Sequence, residues 1–352
     1  MAARSFDGLD QHCEAKETTG DTAAALAAYE ESLAISRQLA VSDPGNGDWQ
    51  RDTSASLTHL GDIKLQANDT AGALAAYEES LAIDRQLAAD DSSDPEKQTN
   101  VSVSLNRNGD LKVAMGDAAA TLSLYQESLD ISRRLALLDP TNPDWQFRVS
   151  GTLQRIGDAK HMLNDSVGAL AADQESLAIA RRVADKNPDN INWQESLLLA
   201  LGRIGDLKFE AGDTVGALSA HEESLSIARR LIKNNPSDIS LRGDLVDVLG
   251  KLGWEYLFAN RFSAAESASR EAMTLAPEEN WREINLAHSL MLQDKIAESD
   301  LFYLGRRGQE FNGKRFEDVV LADFKELRAK GISHPHMSEI EREYARDSTA
   351  QK

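Results

Sequence analysis

The chain is 352 residues long and carries 58 acidic against 38 basic side chains, a net charge of −20. A field of that sign repels phosphate, which argues against non-specific nucleic-acid binding and against anionic membrane surfaces. The lone Cys13 rules out an intrachain disulfide and a cysteine-based metal site, and no stretch approaches the ~18 apolar residues of a membrane span.

Read in chain order, the sequence is organised by self-similarity at a period of 48 residues. Gly61, Gly109, Gly157, Gly205 and Gly253 fall in one register. Each of the first four is followed by Asp, and Lys comes two residues later. Asp21, Asp69, Asp117, Asp165 and Asp213 form a second register. The pairs Ser32-Leu33, Ser80-Leu81, Ser128-Leu129, Ser176-Leu177 and Ser224-Leu225 form a third. A fixed period of this kind signals stacked units that share one core, so length alone does not count the domains. Met1 to Gln11 has no apolar run and predicts no signal peptide. Residues 1–19 stand in register with 49–67, but Cys13 replaces the glycine and the Gly-Asp-x-Lys pattern is gone. Residues 1–46 therefore read as a degenerate N-terminal repeat or cap; a segment cut from a longer protein would look the same.

Residues 47–238 contain four 48-residue units, each read as two helices. In the first, Trp49, Leu57, Leu60 and Leu65 give an apolar stripe over Asp48–Ala67, with Gly61 on a close-packed side. Asn68-Asp69 breaks it, and Asp69 is suited to cap a second helix, about Thr70–Ala89. That helix carries Leu74, Tyr77, Leu81 and Leu87. Glu78 and Glu79 lie early and Arg85 late, the order the helix dipole favours. Pro95, Asp139-Pro140, Asn187-Pro188 and Asn235-Pro236 punctuate the units. After Pro236 the period shortens: Gly253 and Ala287 are 34 apart, and residues 239–308 read as two 34-residue units. Residues 309–352 read as a helical cap and tail. An amphipathic helix over Phe316–Lys330 stops at Gly331, and Pro335 precedes a short last helix, about Met337–Tyr344. Residues 20–308 are thus expected to be helix pairs, about fourteen helices with the first one included, and no strand.

Leu252-Gly253, Tyr256, Phe262, Ala265, Ala272 and Pro277 resemble the tetratricopeptide repeat at that family's 34-residue spacing. The longer units keep the same skeleton in Leu60-Gly61, Ala73, Tyr77 and Pro140. They depart from it at Lys64, Lys112, Lys160 and Lys208, where the family has Tyr, and at Ser80 and its equivalents, where it has Ala. The segment from Asn285-Leu286-Ala287-His288 to Gly331-Ile332-Ser333-His334-Pro335 looks like the tail of bacterial repeat proteins. The resemblance implies an all-α, right-handed superhelical solenoid of antiparallel helix pairs, with first helices lining a concave face. Independently of it, small Gly61 and Ala73 let two helices cross at the short end of the ~8–10 Å range. The extra 14 residues per long unit amount to about four helical turns, roughly two per helix.

The chain has no Gly-rich phosphate loop, no His-Glu-x-x-His and no Gly-x-Ser-x-Gly, so no catalytic residue, metal ligand set or cofactor is expected. His334 and His336 read as part of an exposed cap loop. Trp49, Trp145 and Trp193 recur where inter-repeat packing would need them. Arg133-Arg134, Arg181-Arg182 and Arg229-Arg230 read as a solvated face completing Glu–Arg networks. By the resemblance, Arg107, Arg155, Arg203 and Lys251 form a basic row in the groove, with Asp62, Asp110, Asp158 and Asp206 beside it. Each Arg precedes an Asp by three residues, so the two share a helix face. Two readings follow. The row is either a ladder of pairs with an Asp of its own or the next unit, or a free row that grips carboxylates of an acidic peptide. The function expected is a non-enzymatic cytoplasmic scaffold that holds a segment of a protein or peptide partner, with neither nucleic acid nor membrane involved. The alternative is a sensor or regulatory arm of a larger bacterial effector or signalling system whose catalytic domain lies elsewhere.

Overall fold

The computed structural model describes residues 22–277, 282–311 and 313–350. Residues 1–21 of the expected N-terminal cap lie outside them, and with them the first of the about fourteen expected helices. The chain divides into two compact units, residues 1–179 and 180–352.

The first unit holds α1 (Thr22–Ser42), α2 (Gly47–Gln66), α3 (Thr70–Asp90), α4 (Pro95–Ala114), α5 (Ala118–Leu138) and α6 (Pro143–Met162). The start of α7 (Ser166–Lys186) completes it. Its long helices run 20 or 21 residues, which places the extra residues of the repeat in both helices of a pair. Each first helix turns into its partner through a residue with positive φ: Asn68, then Gly116, then Asn164. This left-handed residue lets the chain reverse in three residues, and Asp69 N–H closes back on the Lys64 carbonyl at 2.7 Å. The register aspartates then cap the second helices. Asp69 accepts from Gly72 N–H at 2.9 Å and Asp117 from Ala120 N–H at 3.1 Å.

Two contacts set the approach of the helices within a pair. Gly61 lies under the Tyr77 ring, where an added Cβ would stand 2.4 Å from a ring carbon, and Gly109 lies under Tyr125 in the same way. Further along the pair the register serines meet. Ser54 and Ser80 hydroxyls are 2.8 Å apart, as are Ser102 with Ser128 and Ser150 with Ser176. The second-helix hydroxyls also donate across the crossing; that of Ser80 reaches the Ser54 carbonyl at 3.1 Å. Serine in place of alanine thus keeps the contact small while satisfying its own polar atom. Trp145 packs against a core of Leu81, Val101, Leu105, Ile131 and Leu135, joining neighbouring pairs. On the outer surface Arg37–Glu79, Arg85–Glu127 and Arg133–Glu175 link consecutive second helices. They are about half exposed and contribute little each.

The second unit continues with α8 (Ile191–Glu210), α9 (Thr214–Asn234), α10 (Ile239–Phe258), α11 (Phe262–Leu275), α12 (Arg282–Met291) and α13 (Ile296–Tyr303). The helices shorten from 20 residues in α10 to 14 in α11 and 8 in α13, where the sequence period contracts. The C-terminal segment departs from an all-helical reading. Glu310–Phe311 (β1) and Lys314–Arg315 (β2) pair as a two-residue antiparallel hairpin, which turns at Gly313 with positive φ. Two residues per strand leave no alternating pattern to detect. Helix α14 (Phe316–Ala329) follows, stopped at Gly331, also with positive φ. Helix α15 (Pro335–Ala350) starts on the proline itself and outlasts the expected Tyr344. Proline is favoured in a first turn, where its missing N–H has no partner to lose. Phe316, Phe324, Leu327, Met337 and Ile340 are buried, and Tyr344 Oη donates to the Tyr303 carbonyl at 2.8 Å.

Gly61→Ala should lower the unfolding free energy by ~1–3 kcal/mol, because the new methyl displaces the Tyr77 ring. Gly243 in α10 has nothing within 4 Å of an added Cβ, so Gly243→Ala should stabilise by ~0.4–1 kcal/mol. Urea titrations of both variants followed by circular dichroism check the contrast.

Candidate partner-binding face

In the first unit, α2, α4 and α6 lie side by side and present one face. The row read from the sequence runs along it, and every member meets a partner. It begins one repeat earlier with His59, stacked on Tyr29 at 5.3 Å between ring centroids. Arg107 donates to Asp62, and Arg155 Nε donates to Asp110 at 2.8 Å. The partner is therefore the aspartate of the preceding repeat, 45 residues back, and not the one a turn later on the same helix. Each of these aspartates is also held from its own second helix: Tyr77 Oη donates to Asp62, and Tyr125 Oη donates to Asp110 at 2.6 Å. Burial and the facing carboxylates push both tyrosine hydroxyls well above their usual range. In the second unit Lys251 Nζ donates to Asp206 at 2.6 Å. Arg203 and Asp158 each have interactions of their own. The row is a ladder of inter-repeat pairs, part-exposed and individually weak.

A cleft of about 560 Å³ opens between α4 and α6, lined by Asn106, Arg107, Asp110, Phe147, Arg148 and Arg155 among others. Phe147 is 46% exposed. Arg148 has no ion-pair or hydrogen-bond partner among the described residues. Sequence reasoning missed both. The signals were present: Arg148 stands two turns before Arg155, and Phe147 falls in a register otherwise occupied by Arg51, Thr99, Glu195 and Gly243. An aromatic beside a free guanidinium can seat an apolar group and a carboxylate together.

A second feature escaped the sequence. The position of Tyr29, Tyr77 and Tyr125 is taken by Asp173, His221 and Ser269 in the next repeats. In the second unit His221 is fully buried against Gly205, with Nδ1 2.8 Å from Glu255 Oε1. Its Nε2 is 3.1 Å from the Gly202 carbonyl and 3.5 Å from Asp206 Oδ1. A carbonyl can only accept, so Nε2 must carry a proton, and a second proton lies between Nδ1 and Glu255. Burial pulls the imidazole down, but the carboxylates of Asp206 and Glu255 outweigh it and raise it to about 9. The same burial pushes the Glu255 carboxyl up, against the imidazolium that holds it down. Closed to solvent, this is an internal ion pair rather than a reacting group. Among the described residues no group of three or more His, Cys, Asp or Glu is placed to hold a metal ion. No described helix is long and apolar enough to cross a membrane.

Solved structures share this fold. BtubC (BKLC) from P. vanneervenii matches with a TM-score of 0.57 at 19% identity, over 73% of this chain and 91% of that one. The STAND protein PH0952 from Pyrococcus horikoshii, which has a tetratricopeptide repeat sensor, matches with a TM-score of 0.56 at 12% identity. That match covers 92% of this chain and 46% of the other. The apo form of RapI matches with a TM-score of 0.54 at 11% identity, over 85% and 69% of the two chains. No family model and no curated protein matches the chain.

The His221 imidazolium sets a pH dependence. Its folded value of about 9 lies above the 6.5 of a free imidazole, so its contribution is complete below pH 6.5 and is lost as pH rises toward 9. Thermal melts should therefore show the second unit losing stability between pH 6.5 and 9. The double variant His221→Tyr/Glu255→Leu restores the residue types found in the preceding repeats, Tyr125 and Leu111. It should flatten this part of the profile.

Proposed function

We propose that this chain, whose helix pairs have the tetratricopeptide-repeat fold, is a non-enzymatic scaffold that holds a segment of a protein partner on the face built by α2, α4 and α6. The observation that carries this reading is the cleft between α4 and α6, where half-exposed Phe147 adjoins unpaired Arg148. Desolvated aromatics and arginines anchor interfaces, and a face preformed by rigid helices orders a partner at small entropic cost. Three arginines against two aspartates line the cleft. It thus suits an acidic side chain flanked by an apolar one, although the whole chain is strongly negative. The ladder arginines serve here as a frame, since Arg107 and Arg155 already have carboxylate partners.

A second reading is that the chain acts as the regulatory arm of a larger system. The likeness to PH0952 favours it, because that match takes in nearly all of this chain but under half of the other.

The test is a partner recovered by affinity purification from the native host and then measured by calorimetry. Phe147→Ala/Arg148→Ala should weaken binding tenfold or more, ~1.4 kcal/mol, with the melting temperature unchanged. Arg155→Ala should change affinity less than threefold. Unchanged affinity of the double variant would move the site away from this cleft.

A further inference from the structure

One carboxylate in the first unit breaks the pattern of its own register. Asp84 stands on α3 where the neighbouring repeats have Ser36 and Ser132, and the later ones Ala180 and Ala228. Its residue surface is 4% exposed. Ser54 of α2 donates to Oδ1 at 2.6 Å, and Ser104 of α4 donates to Oδ2 at 2.5 Å. No cation is within ion-pair distance among the described residues. A buried carboxylate without a counter-charge is costly, and here burial pushes the carboxyl up while the two serines only partly hold it down. The fold does not need the acid. One repeat on, Ser132 fills the place and bonds Ser102 at 2.9 Å.

Asp84 lines the floor of a cleft of about 290 Å³ between the N-terminal turns of α2 and α4. Leu87 gives the cleft an apolar wall, and Asn100 stands on its rim. Helix N-termini by themselves favour anions, but here Asp48, Asp94 and Glu96 surround the opening. Two cations also line the cleft, Arg51 and Lys97, against the four carboxylates of Asp48, Asp84, Asp94 and Glu96; Arg51 is engaged by Asp48 at 3.1 Å and lies 3.8 Å from Glu96. A carboxylate offers about four acceptor positions, and the serines occupy two. A metal ion would need further ligands, and no metal-holding group of His, Cys, Asp or Glu is found here. A compact ammonium with three donors on a slim alkyl stem suits a narrow cleft with one buried carboxylate and a leucine wall.

We propose that the cleft over Asp84 binds a primary ammonium group, carried either by a lysine side chain of the partner segment or by a free aliphatic amine. The lysine source rests on the binding-face reading above. The probes below test Asp84 without any partner, so their failure would leave the Phe147 and Arg148 result standing.

The test uses the full chain at pH 7.5 and low salt, with calorimetry and melting temperature as readouts. Three probes are compared: cadaverine, the capped peptide acetyl-Gly-Gly-Lys-Gly-Gly-amide, and the same peptide with Arg in place of Lys. Cadaverine or the Lys peptide should bind and raise the melting temperature, and Asp84→Ser should weaken that binding tenfold or more. Tighter binding of the Lys peptide identifies a partner's lysine as the source, and tighter binding of cadaverine a free amine. Asp84→Ser should melt at or above the parent temperature without probe, since it removes an uncompensated charge and restores the register residue. A variant that melts well below the parent would make Asp84 a structural brace and overturn the proposal. So would absence of binding by both amine probes, equal binding by the variant, or tighter binding of the Arg peptide.

Discussion

How closely two helices of a pair approach depends on a glycine of the first helix and the residue sixteen places later on the second. Gly61 faces Tyr77, Gly109 faces Tyr125, Gly157 faces Asp173 and Gly205 faces His221, each at a distance that leaves no room for a methyl group. The contact does more than pack. With the glycine as a floor, the tyrosine ring lies flat enough for its hydroxyl to reach the aspartate that follows that glycine, at Asp62 and Asp110. That aspartate is then fixed in place to receive the arginine of the next repeat. One absent side chain thus underlies both the pair contact and the ladder between pairs.

The serine crossing works by the same economy of size. Two hydroxyls at 2.8 Å need no partner beyond each other and the facing carbonyls, so polar atoms are buried at little net cost. Because these contacts settle the backbone geometry, single positions in a repeat can change chemistry without changing the fold. Asp84 enters a serine column, and His221 with Glu255 enters a tyrosine and an apolar column. These are the places where burial and charge conflict, and a conflict that the fold did not require is where ligand binding or pH response is worth seeking.

The same logic separates paired from unpaired arginines on the first-helix face. Arg107 and Arg155 are charged, part-exposed and in register, yet their charges are spent on neighbouring repeats. Arg148 is out of that row and unpaired, beside an aromatic that faces water. The periodic arginines here report construction, while Phe147 and Arg148 break the period.

The helix pairs, their caps and the shortening after Pro236 were legible from the sequence, because periodicity, Asp69-type caps and small residues act locally or repeat visibly. The glycine positions pointed to close crossings for the same reason. The partner of each arginine was not legible. Asp158, three residues after Arg155, and Asp110, 45 residues before it, are equally good in sequence, and only the stacking of one first helix on the next brings Asp110 to 2.8 Å. The hairpin at Glu310–Arg315 was too short to carry a pattern. Nothing in the sequence marks Asp84 as buried, since burial belongs to the packed pair of repeats and not to any stretch of chain. The sequence by itself determined which units repeat and where the helices of the long repeats turn into their partners. Only the tertiary structure decided which charges are paired, which are buried and which remain free, because those depend on neighbours 20 to 45 residues away.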